Sequence, residues 1–495
     1  MTRRSPGGSG LSEAGPTTTR RTVLRALGVA ALGSGVTGAA SGRESSGSND
    51  PVGSWPSYAG TAANTGWVPG PDGIATAVSE RWTVESTPKP NGLSVHDDSV
   101  YLSLDNGESD PYVGAVRALD AEAGEERWRF ETDRWMQSVP VVRDDAVYAL
   151  ANGNGEGYVY ELAASDGTER WSTRFGREVV AALSVVDGTV YVGRIDGGVA
   201  ALSRDGGDEQ WRAIPDADVW FPPAVVGDTV YVTGDKTDGK REDPTEVTRV
   251  YALDARTGEE RWRYEVGETG SAPPAVAGDS VYVSGDDGTL RVLNTRGEER
   301  WTFSVEERPW TPTVHGGTVY LAGPTTLYAL DAADGSVRWR VDCESDAATP
   351  LGTTDALYAV LDEQLTAIDP STGETRVLAP TSGWVDAVAG DTVYLRSDRT
   401  LRAMTVTERA SGLPVPTPTS SPTSTPSPTA TATSTATPTS RATETSTGDS
   451  STVRSSATTT SGTGPLGVLP AVGGAVGLGI LGATRSRYVE DEDDP

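Results

Sequence analysis

Apolar and polar residues alternate along most of this chain in short runs, each stopped by a turn rich in Gly, Asp and Thr. Residues 251–262, YALDARTGEERW, show the unit. Tyr251, Ala252 and Leu253 read as a strand, 254–258 as a turn, and Arg261-Trp262-Arg263-Tyr264 as the returning strand. Gly258 suits a positive φ, and Asp254 can accept hydrogen bonds from the turn amides. Copies of the unit end at Trp128, Trp171, Trp211, Trp301 and Trp339; another ends at Val377 with the Trp lost, and a half copy ends at Trp82. From Trp128 to Trp339 the steps are 43, 40, 51, 39 and 38 residues. This is the period of a four-stranded propeller blade, roughly 40–50 residues. A Trp recurring at one place in such a repeat reads as a wedge between neighbouring blades.

A second signature precedes each copy, centred on Tyr101, Tyr148, Tyr191, Tyr231, Tyr282, Tyr320, Tyr358 and Tyr394. Before it lies a shorter apolar run, as in APPAVAG ahead of Asp279. Each repeat is thus four strands: a short inner one, the Tyr strand, the strand leading into the turn, and the outer Trp strand. The first outer strand, 80–84, has no inner three before it, and the last inner three, around Trp384, Tyr394 and 401–404, have no outer strand after them. The prediction is an all-β, eight-bladed β-propeller of four-stranded antiparallel blades, closed by the N-terminal strand 80–84 pairing with 401–406. Closure of this kind leaves no long open sheet edge.

The turn carries a more specific pattern. Ala252, Asp254, Thr257, Gly258 and Trp262 match Ala-x-Asp-x-x-Thr-Gly-x-x-x-Trp in full, and Ala118, Asp120, Gly124, Trp128 and Ala329, Asp331, Gly335, Trp339 match it without the Thr. This resembles the docking motif of the pyrroloquinoline-quinone-like (PQQ-like) propeller repeat, and the resemblance covers about residues 51–406. It implies the propeller fold; one fold hosts many activities, so it does not fix the function.

Candidate contact residues come from the inner strands, which line a propeller's channel. Trp135, Trp220 with Phe221, Trp310 and Trp384 open the inner strand in alternate blades, where the other blades have Asn91, Ala181, Ala272 and Ala348. Two readings stand: the four tryptophans plug the channel as packing, or they form an aromatic-lined pocket for a flat ligand, a sugar or a peptide. Long connections at 104–112 and 234–245 are expected to rim the same face.

Composition changes the picture in one direction. The net charge is −29, and the only lysines are Lys89, Lys236 and Lys240. An acid-rich, lysine-poor surface suits concentrated salt, as in a halophile, and offers no basic patch to nucleic acid. Cys343 stands alone, so there is no intramolecular disulfide. Arg20 and Arg21 ahead of the apolar run 26–40 resemble a twin-arginine export signal over residues 1–40, followed by a linker and lead-in over 41–77. The propeller is assigned to 78–409 and a Ser/Thr/Pro-rich stalk to 410–463. Residues 465–483 are uncharged and just long enough to span a bilayer, so 464–495 reads as a membrane anchor or an archaeal-type sorting signal.

The chain therefore reads as an exported propeller at the extracellular face of the cell membrane. It acts as a non-catalytic binding or scaffold module for a protein, peptide, sugar or small molecule, with no catalytic residue, cofactor or metal assigned. The alternative is a PQQ-dependent dehydrogenase of alcohols or sugars, in which PQQ and calcium would enter. The adjacent cysteines and long inserts of many such enzymes are absent, and calcium could find carboxylates at Asp286-Asp287 or at Asp235 with Asp238.

Overall fold

The structure, a computed structural model, describes residues 54, 57–86, 89–105, 113–136, 138–153, 155–176, 183–195, 198–214, 217–238, 245–267, 272–306, 308–344 and 347–413. The expected export signal, the linker up to residue 53, the stalk from 414 onward, the C-terminal anchor and the connection 106–112 lie outside the described residues. Among those described, no helix is long and apolar enough to cross a membrane.

Among the described residues thirty-two strands form eight four-stranded antiparallel sheets, the predicted blades. In seven of them the strands are consecutive. In the eighth, Ile74–Glu85 is the outer strand and pairs with Thr400–Ala410, followed inward by Thr392–Ser397 and Trp384–Ala389. The register places Val78 opposite Val406, Glu80 opposite Met404 and Val84 opposite Leu401, as the closure argument requires. This strand begins at Ile74, within the stretch assigned to the lead-in, because Ile74 and Ala75 are already buried in the core of the closing blade. In blade four the described ends of the long connection extend the ladder, paired from Asp235 opposite Thr248 out to Asp238 opposite Thr245, and 239–244 lie outside the described residues.

The blades are joined by the recurring Trp. The indole N–H groups of Trp82, Trp128, Trp171, Trp211, Trp262, Trp301 and Trp339 each donate to a carbonyl oxygen of the following blade's turn, at 2.8–3.1 Å. The ring lies against that turn's glycine: a Cβ on Gly258 would stand 2.5 Å from Trp211, and one on Gly124 2.8 Å from Trp82. Both glycines have φ of 72°. The motif needs Gly there for conformation and for contact alike. The Asp of the motif fixes the same turn: Asp254 Oδ1 accepts from the amides of Arg256 and Thr257 at 3.1 and 3.0 Å.

The copy that lost its Trp sits at the closing seam. Val377 belongs to blade seven, and its neighbour is the composite eighth blade, whose third strand runs out of the ring instead of turning back into a fourth. Among the described residues no glycine turn stands there to receive an indole, and Val377 is 54% exposed. That seam is held by other means. Arg409 donates to the Gly73 carbonyl at 3.0 Å, and the Gly73 amide donates to Asp355 at 2.8 Å.

The arginine preceding the Trp performs a second task. Arg127 bridges Asp98, in the turn after the inner strand, and Asp120, in the docking turn, at 2.6 and 2.7 Å. Arg261 likewise bridges Asp228 and Asp254, both at 2.8 Å. Hydrogen bonds from these arginines hold Asp98, Asp120 and Asp228 below the usual carboxylate range and bring Asp254 down to about 2.

Two predictions follow from this wedge and clamp. Trp128→Ala should lower unfolding free energy by about 3–5 kcal/mol, whereas Val377→Ala should stay within about 0.5 kcal/mol; chemical denaturation compares them. The depressed aspartates bind protons more readily when unfolded, so their contribution is present above the usual Asp value of 3.8 and is lost as pH falls toward about 2. Arg261→Gln should make stability lower at neutral pH and its decline across that window shallower. An acid titration parallel to wild type would contradict the clamp.

Candidate functional site

The channel is not an empty bore. Residues 57–70 run across it and bond to the inner strands of four consecutive blades: Ala224–Val226, Ala275–Ala277, Thr313–His315 and Leu351–Thr353. The amides of Val225, Val276, Val314 and Gly352 donate to the carbonyls of Ala62, Ala63, Thr65 and Gly66 at 2.7–2.9 Å. Asn64, at φ 56°, sends its side-chain amide to the carbonyls of Pro222 and Pro274, both at 3.2 Å. Small residues make this approach possible, since each channel-facing amide must reach a backbone carbonyl.

The described aromatics of the lead-in pack on the ring. Trp67 is buried and stacks on His315 at 4.1 Å with the planes 2° apart. A Cβ on Gly352 would overlap its ring. Tyr58 packs on Val139, and burial pushes its hydroxyl pKa up, opposed by a hydrogen bond with Thr311 and by Arg308. The segment then leaves past Thr354 and Asp355, in the turn after blade seven's inner strand.

The predicted aromatics lie at the opposite end of the inner strands. Trp135 exchanges backbone hydrogen bonds at 2.9 Å with Asn152, near the end of blade two's second strand. The backbone carbonyl of Trp310 accepts from the Ser284 hydroxyl, at the end of the second strand of blade five, at 2.8 Å. Trp384 pairs with Arg396 near the end of blade eight's second strand. Trp220 and Phe221 follow Asp218, which is bridged to Asp235. All five side chains are half-buried. In the intervening blades Asn91 donates to the Met136 carbonyl at 2.7 Å and Ala272 is buried; Ala181 is outside the described residues. The structure thus places the five candidates at one end of the inner strands, each in its own blade apart from the adjacent Trp220 and Phe221.

Arginines accompany this rim. Arg308 lies 5.9 Å from the Trp310 ring centre, Arg396 5.3 Å from that of Trp384, and Arg134 4.0 Å from that of Tyr158. Each also meets a carboxylate: Asp286 for Arg308 at 2.8 Å, Asp133 for Arg134 at 2.8 Å, and Asp386 for Arg396. Neither the Asp386–Arg396 pair nor the channel-crossing role of Asn64 shows in the sequence. Neither recurs in the repeat, so repetition carried no signal for them.

Of the carboxylates considered for calcium, Asp286, Asp287 and Asp235 are otherwise engaged, and the Asp238 side chain lies outside the described residues. Asp287 takes both terminal nitrogens of Arg291, at 2.5 and 3.1 Å, which holds it below the usual range. Asp286 takes Arg308, and Asp235 accepts from the Thr248 hydroxyl at 2.5 Å. Among the described residues no group of three or more His, Cys, Asp or Glu could hold a metal ion. These donors do not fit a calcium-assisted quinone site.

The family described as outer membrane protein assembly factor BamB, a PQQ-like repeat family, matches residues 72–213, 112–240, 196–309 and 286–401. The chain belongs to this family. Among curated relatives of this BamB-type propeller, an outer membrane protein assembly factor BamB of Burkholderia pseudomallei is 32% identical over 173 residues, covering 34% of this chain and 42% of that protein. A quinohemoprotein alcohol dehydrogenase, ADH-IIG, of Pseudomonas putida is 28% identical over 193 residues, covering 35% and 26%. The chain thus spans less than half the length of either relative. The fold is shared with BamB from Moraxella catarrhalis at a TM-score of 0.51 and 15% identity, over 68% of this chain and 99% of that one. It is also shared with the ADHIIG dehydrogenase from Pseudomonas putida HK5 at 0.57 and 14%, over 74% and 82%. Relatives of the BamB-type propeller therefore include both an assembly factor and quinone enzymes.

The lead-in is open to test. Asn64→Ala removes two buried hydrogen bonds and strains a left-handed backbone, and should lower stability by about 1–3 kcal/mol. Asn64→Gly, which relieves the backbone alone, should fall between. Equal melting of all three proteins would mean that the segment does not brace the channel.

Proposed function

We propose that this protein is an exported, surface-anchored β-propeller that works as a non-catalytic binding or scaffold module. Its contact surface is the aromatic rim of Trp135, Trp220, Phe221, Trp310 and Trp384. The observation that carries this reading is the occupied channel: the chain's own segment 57–70 spans it, tied to four inner strands. A ligand can then meet the aromatic end but has no through-channel. Rims of half-buried indoles and arginines are the composition of contact hot spots. The assembly-factor name of the Burkholderia relative is consistent with a scaffold role. The sequence features at 1–40, 410–463 and 464–495 support export by the twin-arginine route, a stalk, and a membrane anchor or sorting signal.

The dehydrogenase alternative is supported by the quinohemoprotein relative. The engagement of Asp286, Asp287 and Asp235 by other side chains weighs against it. Peptide and glycan arrays probed with the purified chain test the binding reading. Trp220→Ala combined with Trp384→Ala should weaken array binding at least ten-fold while melting stays within about 2 °C of wild type. A variant that melts many degrees lower makes the tryptophans a packing plug. Silent arrays together with a quinone absorbance band on protein from its native host would favour the enzyme.

A further inference from the structure

Blade eight contains a charge pair that packing does not explain. Its inner and second strands pair Trp384 with Arg396, Val385 with Leu395 and Ala387 with Tyr394, so Asp386 is the extra residue of a bulge. The bulge turns the Asp386 carboxylate onto Arg396, whose Nε donates to Oδ2. The two side chains are only 1% and 2% exposed. A guanidinium and a carboxylate ordinarily close two parallel bonds. Here one is made, and Asp386 Oδ1 and Arg396 Nη2 are buried without a partner. A buried ion pair is seldom more stable than apolar residues of the same volume, even when complete. Stability alone therefore does not account for this half-complete one.

Its position does. The guanidinium lies beneath the indole of Trp384, at the aromatic rim. Gly383, the residue before Trp384, has φ of 142°, and a Cβ there would stand 2.2 Å from the Arg396 carbonyl oxygen. The residue leading into the indole thus carries no side chain and lies directly against the backbone of Arg396.

We propose that Trp384 is the movable cover of a polar subsite formed by Asp386 and Arg396, and that this subsite takes the hydroxyl edge of a neutral sugar ring. The proposal rests on the reading of the rim as a contact surface. The unmet atoms ask for a donor and an acceptor on neighbouring atoms of one ligand. A trans peptide unit points its N–H and C=O in opposite directions, whereas adjacent ring hydroxyls present both along one edge. The apolar C–H face of the same ring stacks on indole.

Calorimetric titration of the full chain with glucose, galactose and mannose tests this. Wild type should give a saturable heat with at least one sugar, at a Kd of about 1 mM. Asp386→Asn and Arg396→Met should each weaken it at least ten-fold. Should either single variant fail to fold, the paired Asp386→Leu with Arg396→Met removes both charges together; it should melt at or above the wild-type temperature and give no saturable heat. The proposal is overturned if no sugar gives saturable heat, if the paired variant binds like wild type, or if the paired variant melts far lower, which would assign the pair to holding blade eight together. Peptide-array binding that depends on Trp220 and Trp384, without any sugar binding, would leave the contact surface standing and remove this subsite alone.

Discussion

The indole lodged on a neighbour's glycine is the interaction on which the ring depends. A single four-stranded blade has two apolar faces and cannot bury either alone. At seven seams an indole covers the next turn and its N–H meets a carbonyl there, so each blade is held by its neighbour's side chain. Such an arrangement must end somewhere in a linear chain. It ends at Val377, and the first and last strands of the ring, Ile74–Glu85 and Thr400–Ala410, pair to complete the eighth blade. The lost Trp and the displaced first strand are consequences of the same closure.

Toward the axis the seams change character. There the ties are hydroxyls that reach the next blade's backbone: Ser103 to the Ser138 carbonyl, Ser184 to Pro223 at 2.6 Å, and Thr313 to Pro350. Inner strands are the edges of their sheets, and buried backbone carbonyls need donors. The lead-in answers the same need from the channel side, supplying carbonyls to the amides of blades four to seven. The scaffold is therefore braced from the outer rim to the axis, which leaves the aromatic end as the place where side chains can serve contact.

What could be read from the residues was whatever repeats. Blade number, the Trp, the Gly and Asp of the docking turn, and the closing strand all recur or are missed by recurrence, and the structure bears them out. The rim aromatics were legible as residues opening inner strands, because every second blade has one. Two kinds of feature were not legible. The arginine clamps recur in plain view beside Trp128 and Trp262, but Asp98 and Asp228 lie 29 and 33 residues away. Single features gave no signal at all: Asn64 reaches carbonyls 158 and 210 residues away, and Asp386 depends on a bulge that a strand pattern does not reveal. Asp286 and Asp287 looked open to calcium because Arg308 and Arg291 could not be placed beside them without the fold.

The charge pattern bears on what the rim can bind. A net charge of −29 repels anions at long range, the more so in dilute salt. At the rim itself the charges are matched: Arg308 with Asp286, Arg134 with Asp133, Lys89 with Asp398, and Arg396 with Asp386. Arginine suits this work because its planar fork meets a carboxylate while its face lies against an aromatic ring, as Arg308 and Arg396 do. The rim so built offers indole faces flanked by neutralised polar groups, within a chain whose net negative charge disfavours acidic partners. A neutral ligand with one apolar face and one polar edge meets both conditions; an anion meets neither.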